Sequence, residues 1–292
     1  MINRISLFLT VIPFILILSG CHGLSGGYTD DPSILRGSGK VVVEQRELTS
    51  FNRISIAISG NVTMKPGEKE AIRIETDENL LRYILTEVRN DTLFVNFSKE
   101  VRNFQLSEPN RISLEFKELG GLETSGSSDV KFDSLVGGHM VIKLDGSGDI
   151  EIDRMKVDCL LVDLSGSGSI RLEDVQTDSL DIALGGSGDV QIDKLATGEI
   201  DVEILGSGDV KLAGRAKEQK INIPGSGDYD AGDLQSEISI IGMVAKGRVT
   251  VWAKEHLFIR IYPGKGKVAF YGKPTLELAA VDLKNIRRIG NR

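Results

Sequence analysis

The chain is poor in residues that do chemistry. Its three histidines, His22, His139 and His256, are far apart, and no two have metal-ligand spacing. Its two cysteines, Cys21 and Cys159, supply no disulfide framework. Aromatic residues make up 5 %, with one tryptophan, too few to pave a long groove with stacking platforms. After residue 18 no apolar run is long enough to span a bilayer. The many serines sit mostly in glycine-rich segments, with no histidine and acid beside them in sequence, so no nucleophilic triad is visible. Charge is mildly acidic, 35 Lys+Arg against 42 Asp+Glu for a net −7, which does not favour nucleic acid or anionic lipid surfaces as partners. Stability must therefore come from packing and hydrogen bonds.

What is present begins with an export signal. Met1 to Arg4 carries a positive charge, Ile5 to Leu18 is nearly all apolar, and small residues precede Cys21. That order describes a secretory signal peptide, and its apolar run is short of the ~20 residues of a spanning helix. Leu18-Ser19-Gly20-Cys21 resembles the lipobox of bacterial lipoproteins. The resemblance implies cleavage before Cys21, diacylglyceryl attachment to its thiol and acylation of the new amino group, so the membrane becomes a partner through the lipid. The expected organisation is a signal peptide over 1–20, a Gly/Ser-rich tether over 21–34, a single β-domain over 35–286 and a solvated tail over 287–292. The expected location is the cell envelope, on the outer membrane.

Repetition dominates the rest. Gly-Ser-Gly-Asp stands at Gly146–Asp149, Gly186–Asp189, Gly206–Asp209 and Gly225–Asp228, with variants at Gly126-Ser127-Ser128-Asp129 and Gly166-Ser167-Gly168-Ser169. The starts are spaced by 20, 20, 20, 20 and 19 residues. Gly37-Ser38-Gly39 and Ser59-Gly60-Asn61 look like earlier copies of the corner. Apolar residues alternate between corners, as in Ile150 and Ile152, then Leu160, Val162 and Leu164. Period two predicts strands. One apolar residue between them, as at Met155, predicts a bend with one inward side chain. A coil of strand, bend, strand and corner buries its apolar face only against another coil. Stacking at the ~4.8 Å strand spacing then predicts an all-β solenoid, a parallel β-helix of about ten coils paired in parallel and in register around a dry interior. Glycine is expected at the corners for sharp turns with positive φ. The stretch 65–123 breaks the period and is expected to hold larger coils and a short helical or bent excursion near Asp77–Ile84.

Several separated segments resemble the head GIN domain family, an auto-transporter-adhesin-like domain of unknown function frequent in Bacteroidetes envelopes. They are Gly37-Ser38-Gly39, Phe51-Asn52-Arg53-Ile54, Glu75-Thr76-Asp77-Glu78-Asn79-Leu80-Leu81, Glu87 to Leu93, Gly225 to Leu234 and Tyr271-Gly272-Lys273-Pro274. The resemblance runs through nearly the whole chain after Cys21. It implies a right-handed parallel β-helix and no catalytic residues. Corners after Asp228 depart from the pattern, with Lys and Arg in place of Ser and Asp.

Two site candidates remain. Asp149, Asp189, Asp209 and Asp228, with Asp129, occupy one position in successive coils, where a cation such as Ca²⁺ has oxygen ligands to bridge. The alternative is that each carboxylate binds corner N–H groups, as Asp does in turns; Ser169 interrupts the column, and a hydroxyl does the turn work better than the metal work. Trp252, Tyr262 and Tyr271, near Phe258 and Phe270, make the C-terminal third the most aromatic and offer either a ligand platform or a cluster closing the last coils. Cys159 reads as a small side chain near a bend. No cofactor is expected. The leading functional expectation is a non-catalytic, adhesin-like binding and display module whose partner is an envelope protein or a glycan. The alternatives are a structural protein assembling end to end through its coil ends, and a polysaccharide-active β-helix enzyme.

Overall fold

The computed structural model describes residues 34–244, 246–262, 266–279 and 283–291. The expected signal peptide, Cys21 and all but the last tether residue lie outside them. The chain is all-β and winds into a solenoid of about eight turns, fewer than ten because the N-terminal stretch does not stack as regular coils.

A regular coil has three faces. In the strand Ile150–Leu164, Ile150–Ile152 lies on a first face, Arg154–Lys156 on a short lateral face and Cys159–Leu164 on a third. Ile150, Ile170, Val190 and Val210 are register partners on the first face. Ile142, Val162, Ile182 and Val202 are partners on the third. All are buried, and each such side chain is worth about 1.5–3 kcal/mol relative to exposure. Hydrophobic alternation thus gives strands, and stacking of the strands gives the core.

The interior is not dry throughout. The column that runs Leu160, Leu180, Ile200 continues with Gln219 and Ser239 before returning to Leu257. Gln219 donates to Ser236 Oγ (2.9 Å) and Ser239 Oγ (3.1 Å) and accepts from the Tyr229 hydroxyl (2.8 Å). Every member is buried, and burial pushes the Tyr229 phenol above its ordinary pKa, with the Asp230 charge adding to the effect. A satisfied polar network of this kind penalises any slipped stacking that would leave its members unpaired.

The corner glycines are required for a reason other than the expected one. Among the described glycines only Gly39, Gly60, Gly214 and Gly272 have φ in the left-handed region. At Gly146, Gly148, Gly186, Gly188, Gly206 and Gly208 a Cβ would instead lie closer than 3.0 Å to backbone atoms of the preceding coil. Corner backbones sit directly on one another, and a side chain has nowhere to go.

Parallel pairing fails at the N-terminal end. Val41–Glu47 runs antiparallel to Ala71–Asp77, which runs antiparallel to Arg111–Phe116, while Ile84–Arg89 and Thr92–Phe97 form an antiparallel hairpin. Asn90 and Asp91, at φ 49° and 60°, make its two-residue turn, a conformation that Asn and Asp tolerate. The expected excursion is a short helix, Glu78–Leu81. Gly37-Ser38-Gly39 is not a stacked corner: it precedes the antiparallel edge strand and is tied to Asp77 and Asn79. Inward-pointing Arg46 pairs with Glu44 (2.7 Å) and donates to Ile84 O (2.7 Å), bridging the two edge strands. Charged inward residues of this kind block further strand addition.

At the other end, Ile286–Gly290 is a strand paired with Lys267–Tyr271. Residues 287–290 of the expected solvated tail are therefore strand on the first face, with Arg287, Arg288 and Ile289 exposed. On the third face the last described strand is Thr275–Ala279. Leu276 and Leu278, which continue core columns, are 43 % and 39 % exposed there.

Candidate functional site

The aspartate column forms a ladder between coils. Asp129 Oδ1 accepts from Asp149 N (3.0 Å), Asp149 Oδ1 from Ser169 N, Asp189 Oδ1 from Asp209 N, Asp209 Oδ1 from Asp228 N and Asp228 Oδ1 from Arg248 N (each 2.8 Å). The chain turns at this point, and the Asp of one coil supplies the acceptor for the corner N–H of the next. Arg248 ends the column: its guanidinium also takes Asp228 Oδ2 at 2.7 and 2.9 Å, and this carboxylate raises the Arg248 pKa. Among the described residues no three His, Cys, Asp or Glu groups are placed to hold a metal ion together. The hydrogen-bonded reading predicts that Asp209→Ala costs about 0.5–1.5 kcal/mol in chemical denaturation, because it removes the acceptor of the Asp228 N–H at an exposed corner. Asp209→Asn, which keeps Oδ1, is expected to cost less than half as much, and a chelator to leave the melting temperature unchanged. A chelator-induced drop would restore calcium to the column.

The aromatic candidates separate. Phe270 is buried in the core. Tyr262 is 51 % exposed at a corner whose N–H donates to Met243 O. Trp252 and Tyr271, in contrast, are register partners on neighbouring coils of the lateral face, both half-buried. A Cβ on Gly232 would meet Tyr271 Cε2 at 3.3 Å, so the tyrosine ring leans back across one coil into the space the glycine leaves. The last coils therefore carry both kinds of aromatic, one closing the core and two facing outward.

Register extends this pair into a stripe. Trp252 is preceded on the coil below by Gln235, and Gln235 by Arg215. Further back stand Ala196, Gln176, Lys156 and Val136 in the same outward position. Two adjoining depressions, of about 300 and 460 Å³, run beside its first half, edged by Arg154, Asp174, Asp158 and Asp178. Lys156, Arg215 and Arg154 are exposed and make no side-chain ion pair or hydrogen bond among the described residues. Cations on the other faces include several that are neutralised locally. Lys131 meets Glu151 (3.1 Å), Arg171 meets Asp193 (2.5 Å) and Lys220 meets Asp201 (2.8 Å). A larger depression of about 630 Å³ lies on the first face, but its Lys65 pairs with Glu115 (3.5 Å) and its Arg73 with Glu75 (3.1 Å).

Lys156, Gln176, Arg215 and Gln235 were not singled out by the sequence. Only 17 residues separate Gln235 from Trp252, and the register shifts between Ala231 and Gln235, so a count of twenty misses the alignment. His139 and Cys159 are also register partners, another pair hidden in the sequence, but no hydrogen bond joins them among the described residues. His256 lies opposite Ile238 and Thr275.

The family model described as "Putative auto-transporter adhesin, head GIN domain" matches residues 50–210 and 162–274. No curated protein sequence matches the chain. Among solved structures, a protein of Parabacteroides distasonis described as a "Putative lipid binding protein" is 21 % identical, with a TM-score of 0.66 over 87 % of this chain and 99 % of that one. A "putative adhesin" from the same species is 19 % identical, with a TM-score of 0.65 and the same coverage. Another, from Parabacteroides merdae, is 19 % identical, with a TM-score of 0.64 over 88 % and 97 %. At these identities the likeness is one of fold.

Proposed function

The chain belongs to the head GIN domain family, and from that membership and its surface we propose that it is a non-catalytic binding and display module of the bacterial cell envelope, held at the outer membrane by lipid on Cys21. The observation that carries the reading is the lateral stripe: side chains held in register on the stack, with cations that make no ion pair at one part and outward aromatics at another. The corner aspartates support it too, because their carboxylates are used as acceptors between coils. His139 and His256 stand on different coils of the third face, and no hydrogen bond joins His139 to its register partner Cys159 among the described residues. Aromatic and cationic groups on a stiff scaffold bind without losing much side-chain freedom.

The test is binding of the purified full chain to envelope fragments of its own cells, with radiolabelled fatty acid followed in parallel. Saturable binding at micromolar concentration, and label lost in Cys21→Ser, are expected. Fragments that bind nothing would remove the display role, and label that persists in Cys21→Ser would remove the anchor. End-to-end assembly is the second reading, favoured by the exposed Leu276 and Leu278 on the open edge strand. A species that stays monomeric across a wide concentration range in sedimentation would end it.

A further inference from the structure

We propose that the lateral stripe binds an acidic polysaccharide, its chain laid parallel to the solenoid axis, an inference that rests on the binding-module reading above. Three features of the stripe converge on this ligand.

The first is periodic. From Lys156 to Tyr271 the stripe passes through six coil steps, about 30 Å at ~4.8 Å per step. An extended glycan chain advances by a similar length per sugar, so successive sugars meet successive coils without curving away. A folded protein partner has no such repeat.

The second is chemical. Gln176 and Gln235 offer amides that both donate and accept, which suits hydroxyl groups. Lys156 and Arg215 make no ion pair among the described residues, although Asp158 and Asp178 edge the same depression, and they stand three coils apart, which suits a polymer carrying a carboxylate or sulfate at intervals. Arg is well shaped to take a carboxylate with two parallel N–H bonds. Trp252 and Tyr271 supply the apolar faces against which sugar rings pack. The beside-lying depressions are open and shallow, edged by Asp158, Asp174 and Asp178, and give no enclosed apolar space for an acyl chain.

The third is a local deviation in the fold. The segment Gly232–Leu234 is extra relative to the next coil, where Ala231 pairs with Val251 and Gln235 already with Trp252. The added residues place Gly232 against the Tyr271 ring, where a Cβ would stand 3.3 Å from its Cε2. A side chain at 232 would crowd the ring and Thr250 Cγ2, at 3.3 and 3.1 Å, and shift the ring from its seat.

The experiment titrates the purified full chain calorimetrically with hexasaccharides of polygalacturonate, of alginate and of a sulfated glycosaminoglycan, each beside its carboxyl-reduced or desulfated form. At least one acidic hexasaccharide is expected to bind, and removal of its acid groups to weaken binding about tenfold or more. The Lys156→Ala/Arg215→Ala double variant is expected to lose a similar factor and to show a shallower salt dependence. Trp252→Ala should weaken binding to the acidic and the neutral form alike. Lys211→Ala, on the first face, should change nothing, and circular dichroism melts will show that the exposed substitutions leave the fold intact. The proposal is overturned if no acidic hexasaccharide binds, if the neutral forms bind as well as the acidic ones, or if the double variant binds like the parent. Should envelope fragments still bind in any of those cases, the display role stands and only the glycan assignment is lost. If the fragments fail as well, both are lost.

Discussion

Replacing Gly188 by alanine is expected to destabilise the protein by at least about 3 kcal/mol, the upper part of the range for overpacked interiors. A Cβ at this position would fall closer than 3.0 Å to the backbone of Gly168 and 3.0 Å from Ser167 C. Backbone, unlike a flexible side chain, cannot swing aside. Relief would need two coils to separate, and that opens the ladder bonds on either side of the corner, including Gly188 N to Gly166 O and Ile170 N to Asp189 O. For a chain of this size the loss corresponds to a fall in melting temperature of roughly 6–12 °C. Position 188 lies mid-stack, and solenoid coils contact only their neighbours, so the variant is also expected to divide unfolding into two steps by weakening one interface. Ser187→Ala is the control. Ser187 is exposed and points away from the stack, and a change within ~0.5 kcal/mol is expected. Denaturant melts of the two variants settle the matter. Equal, small shifts would mean that the corners yield more easily than their geometry implies.

The same corner shows what a sequence can and cannot reveal. Gly-Ser-Gly-Asp at twenty-residue spacing announces a solenoid because only stacked coils give chemically identical positions a shared role. Alternation then identifies Ile150, Ile170, Val190 and Val210 as one column, and the structure has them as register partners. The physical reason for glycine was not legible: a turn with positive φ and a close backbone approach select the same residue. Nor was strand direction. Ile72 and Ile74 alternate like any inward pair, yet their strand runs antiparallel, and hydrophobic period carries no information about polarity. The lateral stripe was hidden for a third reason. Register shifts at Ile192/Leu195, Lys211/Ala213 and Ala231/Gln235 break the count of twenty, so Arg215, Gln235, Trp252 and Tyr271 align in space without aligning in number. Trp252 and Tyr271 were visible as candidates only because aromatics are scarce.

Most family-like segments now have a structural task. Phe51-Asn52-Arg53 meets the hairpin turn, with Asn52 N and Arg53 N both donating to Asp91 O at 3.0 and 3.1 Å. Asn79 accepts from Ser38 N (2.9 Å) and donates to Arg36 O (2.7 Å). Buried Asn110 accepts from Thr76 Oγ1 (2.6 Å) and donates to Ser59 O (2.8 Å). These residues close the N-terminal end of the stack. The binding surface proposed for the lateral face draws on other positions, so members of one family can keep the cap and the corners while changing what they bind.

Asp77 is the centre of that closure, and its loss should be the most damaging change in the cap. Its carboxylate is buried and accepts from Gly39 N (2.9 Å), Ser107 N (2.9 Å) and Ser107 Oγ (2.5 Å). Burial alone would push this carboxyl up, but the hydrogen bonds from the Ser107 side chain, the Ser107 N–H and the Gly39 N–H outweigh it and hold the pKa below the usual 3.8. A depressed folded-state value means that ionised Asp77 contributes stability in full above about pH 3.8 and loses it as pH falls through the lower, folded value. Asp77→Asn places an amide donor among three donors, and at pH 7 is expected to cost about 2–3 kcal/mol. The difference from the parent should shrink between pH 4 and pH 2, as the parent carboxyl itself takes up a proton. Melts across this range test the slope, and hydrogen exchange at Gly39 and Ser107 tests the place, since the cap can open without the rest of the stack. A variant whose deficit stays constant down to pH 2, or whose Gly39 and Ser107 amides remain as protected as in the parent, would show that the N-terminal closure is held by something other than this carboxylate.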